Sequence, residues 1–126
     1  AAQYWLGKPN QYVFGGGRNP SDIANGRFDC SSFVHWAFAQ AGIDLGPVTS
    51  VSTETLNKMG RRVSFSEIKP GDIIFFDTYK SDGHVGIWLG NGKWIGTQGS
   101  TGIAIVNQNT NSYWQSVFSG HVRRIL

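Results

Sequence analysis

The sequence predicts an α+β domain, with helices first and an antiparallel sheet after them. Residues 29–42 set apolar side chains at helical spacing and stop at Gly42. The second half instead shows short apolar runs, Ile73-Ile74-Phe75-Phe76 and Val85-Gly86-Ile87-Trp88-Leu89, parted by the turn signals Pro70-Gly71-Asp72 and Gly90-Asn91-Gly92. A length of 126 residues without an internal repeat supplies one modest core, so residues 1–126 read as one domain.

Taken in order, Ala1 to Lys8 is expected to be a short helix docked by Tyr4, Trp5 and Leu6 and ended by Gly7 and Pro9-Asn10. Tyr12-Val13-Phe14-Gly15-Gly16-Gly17 permits close backbone approach, and without a following Lys-Ser/Thr it is no phosphate loop. Arg18 to Phe28 reads as a polar loop. The next helix puts Cys30, Phe33, Val34, Ala37, Phe38 and Ala41 on one stripe, with Asp29 as its cap. Ile43 to Thr49 is a connector, and Ser50 to Met59 a peripheral helix capped by Ser50 or Ser52. Arg61 to Phe65 is a short strand, and Ile73 to Phe76, apolar throughout, a central strand covered on both faces. His84–Leu89 and Lys93–Gln98 form a hairpin; Ile103–Val106 and Val117–Ile125 are further strands, and Asn107 to Trp114 is polar. The Cys30 helix is expected to pack on the sheet through Phe33, Ala37 and Phe38.

Composition narrows the function. One cysteine excludes an internal disulfide and a thiolate-rich metal site, and three histidines without an HExxH-type spacing give no reason to expect a metal or cofactor. No run is long enough to span a membrane. The chain is nearly all domain, so a targeting segment or partner module is expected to have been removed from a longer precursor. The net charge of +3 suits anionic surroundings, but Arg61-Arg62 and Arg123-Arg124 are the only basic pairs, and no nucleic-acid partner is expected.

Cys30 carries the chemical interest. At the first turn of a helix, exposed N–H groups and the helix dipole favour a thiolate. A lone cysteine on an apolar stripe is more often inert core than chemistry, so a base must be found. His35 lies five residues on along the same helix and is rotated well away from the thiol. His121 lies in the last strand without a further clue. His84 opens a strand after a polar loop, where a strand end can face a helix N-terminus. The residue orienting its ring depends on the hairpin. A two-residue Asn91-Gly92 turn puts Thr97 on the face of His84; a three-residue loop with a bulge puts Gln98 opposite it, beside Trp88, Trp94 and Gly96. Gln98 is the better orienter chemically, because its neutral amide oxygen accepts from a ring N–H.

Three blocks together resemble the NlpC/P60 family of bacterial cell-wall cysteine peptidases: Tyr12-Val13-Phe14-Gly15-Gly16, Phe28-Asp29-Cys30-Ser31-Ser32-Phe33-Val34, and Pro70-Gly71-Asp72-Ile73-Ile74-Phe75-Phe76 running on to Gly83-His84-Val85-Gly86-Ile87-Trp88-Leu89-Gly90-Asn91-Gly92. The resemblance implies a papain-like fold, Cys30 as nucleophile, His84 as base and Tyr12 beside the nucleophile. It places Asp29 and Ser31 in the substrate pocket, Asp29 toward the free amine of the stem. The position matching the family's third polar residue is Gly96; Gln98, two residues on, takes that role, and the family's odd-length hairpin loop favours it over Thr97. Trp88 and Trp94 are set beside these as substrate contacts. The implied activity is cleavage of the peptidoglycan stem between D-glutamate, through its γ-carboxyl, and diaminopimelate or lysine, at the cell surface or outside the cell, by a domain of a longer secreted or membrane-anchored protein with other wall-binding or lytic domains. The alternatives are amidase action at the first L-alanine, and a non-catalytic wall-binding module using Tyr4, Trp5, Trp88, Trp94 and Trp114 to stack on sugars.

Overall fold

A computed structural model describes residues 2–126; Ala1, at the head of the expected first helix, lies outside them. The elements run β1 (Gln11–Tyr12), α1 (Pro20–Ala24), β2 (Arg27–Phe28), α2 (Cys30–Gln40), α3 (Thr53–Leu56), β3 (Arg61–Val63), β4 (Ile73–Phe76), β5 (His84–Gly90), β6 (Lys93–Gln98), β7 (Gly102–Asn107), α4 (Ser112–Ser116) and β8 (Phe118–Arg124). Strands β3-β8-β4-β5-β6-β7 form one antiparallel sheet, and β1 and β2 a short parallel pair beside it. This is an α+β architecture of the papain-like kind, a cysteine-bearing helix packed on an antiparallel sheet.

Alternation along the strands sorts the core into two faces. Ile73, Phe75, Val85, Ile87, Ile95 and Ile103 meet Phe33, Val34, Ala37 and Phe38 of α2 on one. On the other, Ile74, Phe76, Trp88, Trp94, Val106 and Val122 are covered by Trp114, Val117 and Phe118. All four residues of β4 are buried, as a central strand with two covered faces requires. Phe33 and Val34 are fully buried, each worth about 2 kcal/mol of apolar transfer, which fixes the helix and therefore the head of the helix where Cys30 sits.

Some expectations change. The segment around Tyr4–Lys8 makes isolated turns, Leu6 N–H to Gln3 and Lys8 N–H to Trp5, rather than a helix; Gly7 and Pro9 leave too few residues to propagate one. The polar loop from Arg18 folds into α1, capped by Asn19 with Pro20 in its first turn, and the polar stretch after Asn107 contains α4, capped by Asn111. Ala41, placed on the apolar stripe, is exposed at the C-cap of α2. Ser52, rather than Ser50, caps α3. No helix among the described residues is long and apolar enough to cross a membrane.

Candidate active site

The Cys30 side of the candidate site is built on a capping box. Asp29 Oδ1 accepts from the backbone N–H of Ser32 at 2.9 Å, and Ser32 Oγ accepts from Asp29 N–H at 3.1 Å, which pins the first turn of α2 and the backbone of Cys30 within it. The other carboxylate oxygen accepts from Gly15 N–H at 3.1 Å and from Arg18 Nη1 at 2.8 Å. Arg18 also donates to Gly16 O, Ser31 Oγ and Val51 O, tying the glycine loop, the helix head and the loop before α3 into one piece. Nothing in the sequence around Arg18 marks it as the partner of Asp29; it reads there as one basic residue in a polar loop.

Cys30 Sγ lies 3.8 Å from the carbonyl oxygen of Gly83, the residue before His84. Burial pushes the thiol up to about 12, and the Asp29 charge adds to this; backbone N–H groups of Val85, Ser31 and Cys30 act the other way and lose. The thiolate expected from the helix end is therefore not the resting form. Desolvation outweighs the helix dipole at a sulfur this enclosed.

The His84 side comes from the sheet. In the hairpin, Ile87 faces Ile95 and Trp88 faces Trp94, then the register shifts before Gly90 faces Lys93. A two-residue turn of Asn91 and Gly92, both with positive φ, is thus combined with a bulge, and the bulge brings Gln98 opposite His84. His84 Nε2 lies 3.2 Å from Gln98 Oε1. An amide oxygen only accepts, so Nε2 carries the proton and Nδ1 holds the free lone pair. Gly96 makes this reach possible: a Cβ there would stand 2.7 Å from Gln98 Oε1. Thr97 points to the other face, its buried hydroxyl without a partner among the described residues. The imidazole is enclosed by Trp114, tilted 30° at 4.9 Å, and by Trp94 and Phe76 at 5.8 and 6.1 Å between ring centroids. That burial lowers His84 to about 4, with the Gln98 hydrogen bond raising it by less.

Two adjoining cavities hold these groups. One, of about 220 Å³, is lined by Cys30, Asp29, Ser31, Arg18 and Tyr12. The other, of about 400 Å³, is lined by His84, Gln98, Trp114 and again Tyr12. Tyr12 and Tyr79 border both, so Cys30 and His84 sit in two lobes of one cleft. Burial, with Cys30 and Asp29 adding to it, raises Tyr12 to about 12, which keeps its hydroxyl a donor. Trp88 and Trp94, expected to touch substrate, do not line the cleft: both are buried in the sheet face away from α2, because β5 and β6 turn them inward beside Phe76. His35 is engaged with Gly46 O at 2.7 Å, and His121 with Asp82 at 2.7 Å, so neither competes as the base. Among the described residues no cluster of three or more His, Cys, Asp or Glu side chains is placed to hold a metal.

A cysteine at the head of a helix and a sheet histidine bonded to an amide, in two lobes of one cleft, are the parts a papain-like cysteine hydrolase requires. The model of the NlpC/P60 family matches residues 8–123, and the chain belongs to that family. It is 53% identical over 115 residues to the Peptidoglycan DL-endopeptidase CwlO of Bacillus licheniformis, a match covering 91% of this chain and 25% of the relative. It is 38% identical over 125 residues to the Gamma-DL-glutamyl hydrolase of Bacillus subtilis, covering 98% of this chain and 27% of that protein. The chain thus spans about a quarter of the length of these relatives. Among solved structures it superposes on the peptidoglycan hydrolase RipB of Mycobacterium tuberculosis with a TM-score of 0.70 and 26% identity, covering 99% of this chain and 64% of that one. An NLP/P60-family protein similar to lipoprotein from Staphylococcus aureus gives a TM-score of 0.73 at 26% identity, over 99% of this chain and 41% of the other.

Proposed function

We propose that this domain is a cysteine endopeptidase that cuts the peptide stem of peptidoglycan between the γ-carboxyl of D-glutamate and the diamino acid that follows, and that it works outside the cytoplasm, where this polymer lies. The observation that carries this reading is the shared cleft: Cys30 and His84 line it from two separate elements, in a chain closely similar to a protein named as a DL-endopeptidase. Both groups rest neutral near pH 7. Catalysis therefore starts with proton transfer, His84 Nδ1 taking the Sγ proton as sulfur attacks the γ-carbonyl carbon. The backbone N–H of Cys30 donates to the developing oxyanion. The imidazolium then gives its proton to the leaving amine, and the C–N bond breaks to leave a thioester. Water attacks the thioester, yielding a proton to His84, and the thiol re-forms as the γ-carboxyl product departs. Gln98 holds the ring through Nε2 during the exchange.

Mass spectrometry of digested wall tests this. The expected product carries a new amino terminus on the diamino acid, and Cys30→Ala abolishes it while the melting temperature holds. A new terminus on L-alanine would replace the endopeptidase with an amidase. Cleavage by the Cys30→Ala protein at the wild-type rate would overturn the nucleophile.

A further inference from the structure

We infer that the solvent-side flank of α2 carries a second binding site, a groove that takes an uncharged strand of β-1,4-linked N-acetylhexosamines, the glycan to which the stem peptide is attached. The choice of this polymer rests on the proposed function; the groove itself does not.

Two cavities meet on this flank. One, of about 490 Å³, is walled by Tyr4 and Trp5, the other, of about 220 Å³, by Gly17 and His35. Ile23, Trp36 and Gln40 line both, and Trp36 and Gln40 stand one turn apart on α2, so the cavities join as one groove with Trp36 at its centre. Trp36 is stacked on Phe33 at 6.3 Å and 24° and is half-buried, with Tyr4 at 5.8 Å and Trp5 at 6.4 Å between ring centroids. Of the aromatic residues expected to stack on sugars, Tyr4 and Trp5 gather here, while Trp88 and Trp94 are buried within the sheet core. The C–H face of a pyranose ring suits the π face of such side chains.

The polar groups of the groove are few and neutral. The Gln40 amide is exposed and makes no hydrogen bond among the described residues, so it can both donate to and accept from an acetamido group. His35 Nε2 donates to Gly46 O at 2.7 Å, which leaves Nδ1 an acceptor for a hydroxyl. Trp5 keeps its indole N–H buried without an acceptor among the described residues, a deficit that an acetamido carbonyl would make good after a small turn of the ring. No Asp, Glu, Lys or Arg lines either cavity. A phosphate polymer would find no cation there and a charged peptide no counter-charge, whereas an N-acetylated sugar strand brings hydroxyls and amides without charge.

The groove also adjoins the cleft. Gly17 lines it, while Gly15 and Arg18 of the same loop line the Cys30 lobe. Cys30 precedes Trp36 by six residues on α2, about 9 Å along the axis. A strand held on Trp36 keeps its stems near the cleft and raises their local concentration there.

The test titrates the protein with the tetrasaccharide of β-1,4-linked N-acetylglucosamine, which carries no stem, and follows the indole N–H resonances. Saturable binding that moves the Trp36 resonance is expected, weakened about tenfold by Trp36→Ala and severalfold by Tyr4→Ala or Gln40→Ala. Trp36 also packs on Phe28 and Phe33, so the two exposed positions carry the test where Trp36→Ala does not fold. Tyr4→Ala and Gln40→Ala should keep the wild-type kcat/KM on a soluble stem peptide, while release of stems from whole wall falls severalfold. No binding at millimolar tetrasaccharide, or binding untouched by both variants, overturns the inference. So does a groove that answers to the stem peptide and not to the sugar. Binding by a protein that cuts no stem would remove the proposed function and leave the groove standing; cleavage without binding would do the reverse.

Discussion

Cys30 and His84 meet one cleft from surroundings that differ in kind. Around the sulfur stand a carboxylate, a guanidinium and two serine hydroxyls, joined into a network that ties three segments of chain to the head of α2. Around the imidazole stand Phe76, Trp94 and Trp114, with the neutral amide of Gln98 as its side-chain hydrogen-bond partner. The contrast shows two ways of placing a reactive group. The thiol is positioned through its own backbone, by capping. The ring is positioned by packing, and the same packing removes it from water and lowers its affinity for a proton.

Each half can be broken separately. His84→Ala, which removes the proton acceptor, is expected to lower kcat/KM on wall peptide by about 10²–10⁴-fold, read by product release at neutral pH. As the proposed base, His84 works only when neutral, so wild-type activity should fall as pH drops through about 4. Trp114→Ala opens the aromatic enclosure to water and should move that acid limb up toward the ordinary histidine value near 6.5, costing the variant roughly tenfold at pH 5. The same burial is linked to folding. His84 binds its proton near pH 6.5 when unfolded and near 4 when folded, so stability is full above 6.5 and is lost as pH falls from there toward 4, by about 3 kcal/mol in all. Urea titrations at pH 7 and pH 4.5 read this, and Trp114→Ala should flatten the difference.

The aromatic half was the less legible of the two. Period and capping signals placed α2, Asp29 and Cys30 directly, because a helix writes its face and its start into adjacent residues. His84 and the alternatives Gln98 and Thr97 were visible as residue types, but the choice between them hung on a bulge at Leu89–Gly90 that shifts every partner by one place. Trp88 and Trp94 were misread for a related reason: aromatic residues beside a catalytic strand suit a groove or a core, and only the register shows that they turn inward. Trp114 comes from α4, a five-residue helix whose polar sequence lacks an apolar stripe, so its place over His84 was out of reach of pattern. Arg18 was hidden in the same way, since its partner lies eleven residues on and across a loop.

Smaller effects sharpen the contrast further. Gln98→Ala should cost about tenfold in kcat with little change in KM, as the ring loses the acceptor on Nε2. Gln98→Glu should keep the ring in place and raise its pKa, moving the acid limb upward without abolishing turnover. Ser32→Ala removes one arm of the capping box on the thiol side; it should cost about 1 kcal/mol of stability, read as a melting shift of a few degrees, and leave the acid limb where it is.

The coupling of the two lobes is read most directly by alkylating Cys30, the only thiol in the chain, with iodoacetamide from about pH 3 to pH 9 in the wild type and in His84→Ala. The wild-type rate is expected to rise through about pH 4 and then level off, because His84 takes the proton as sulfur attacks. The variant should react slowly at neutral pH and gain speed only as the solution becomes alkaline. Superimposable profiles for the two proteins would contradict a working nucleophile–base pair.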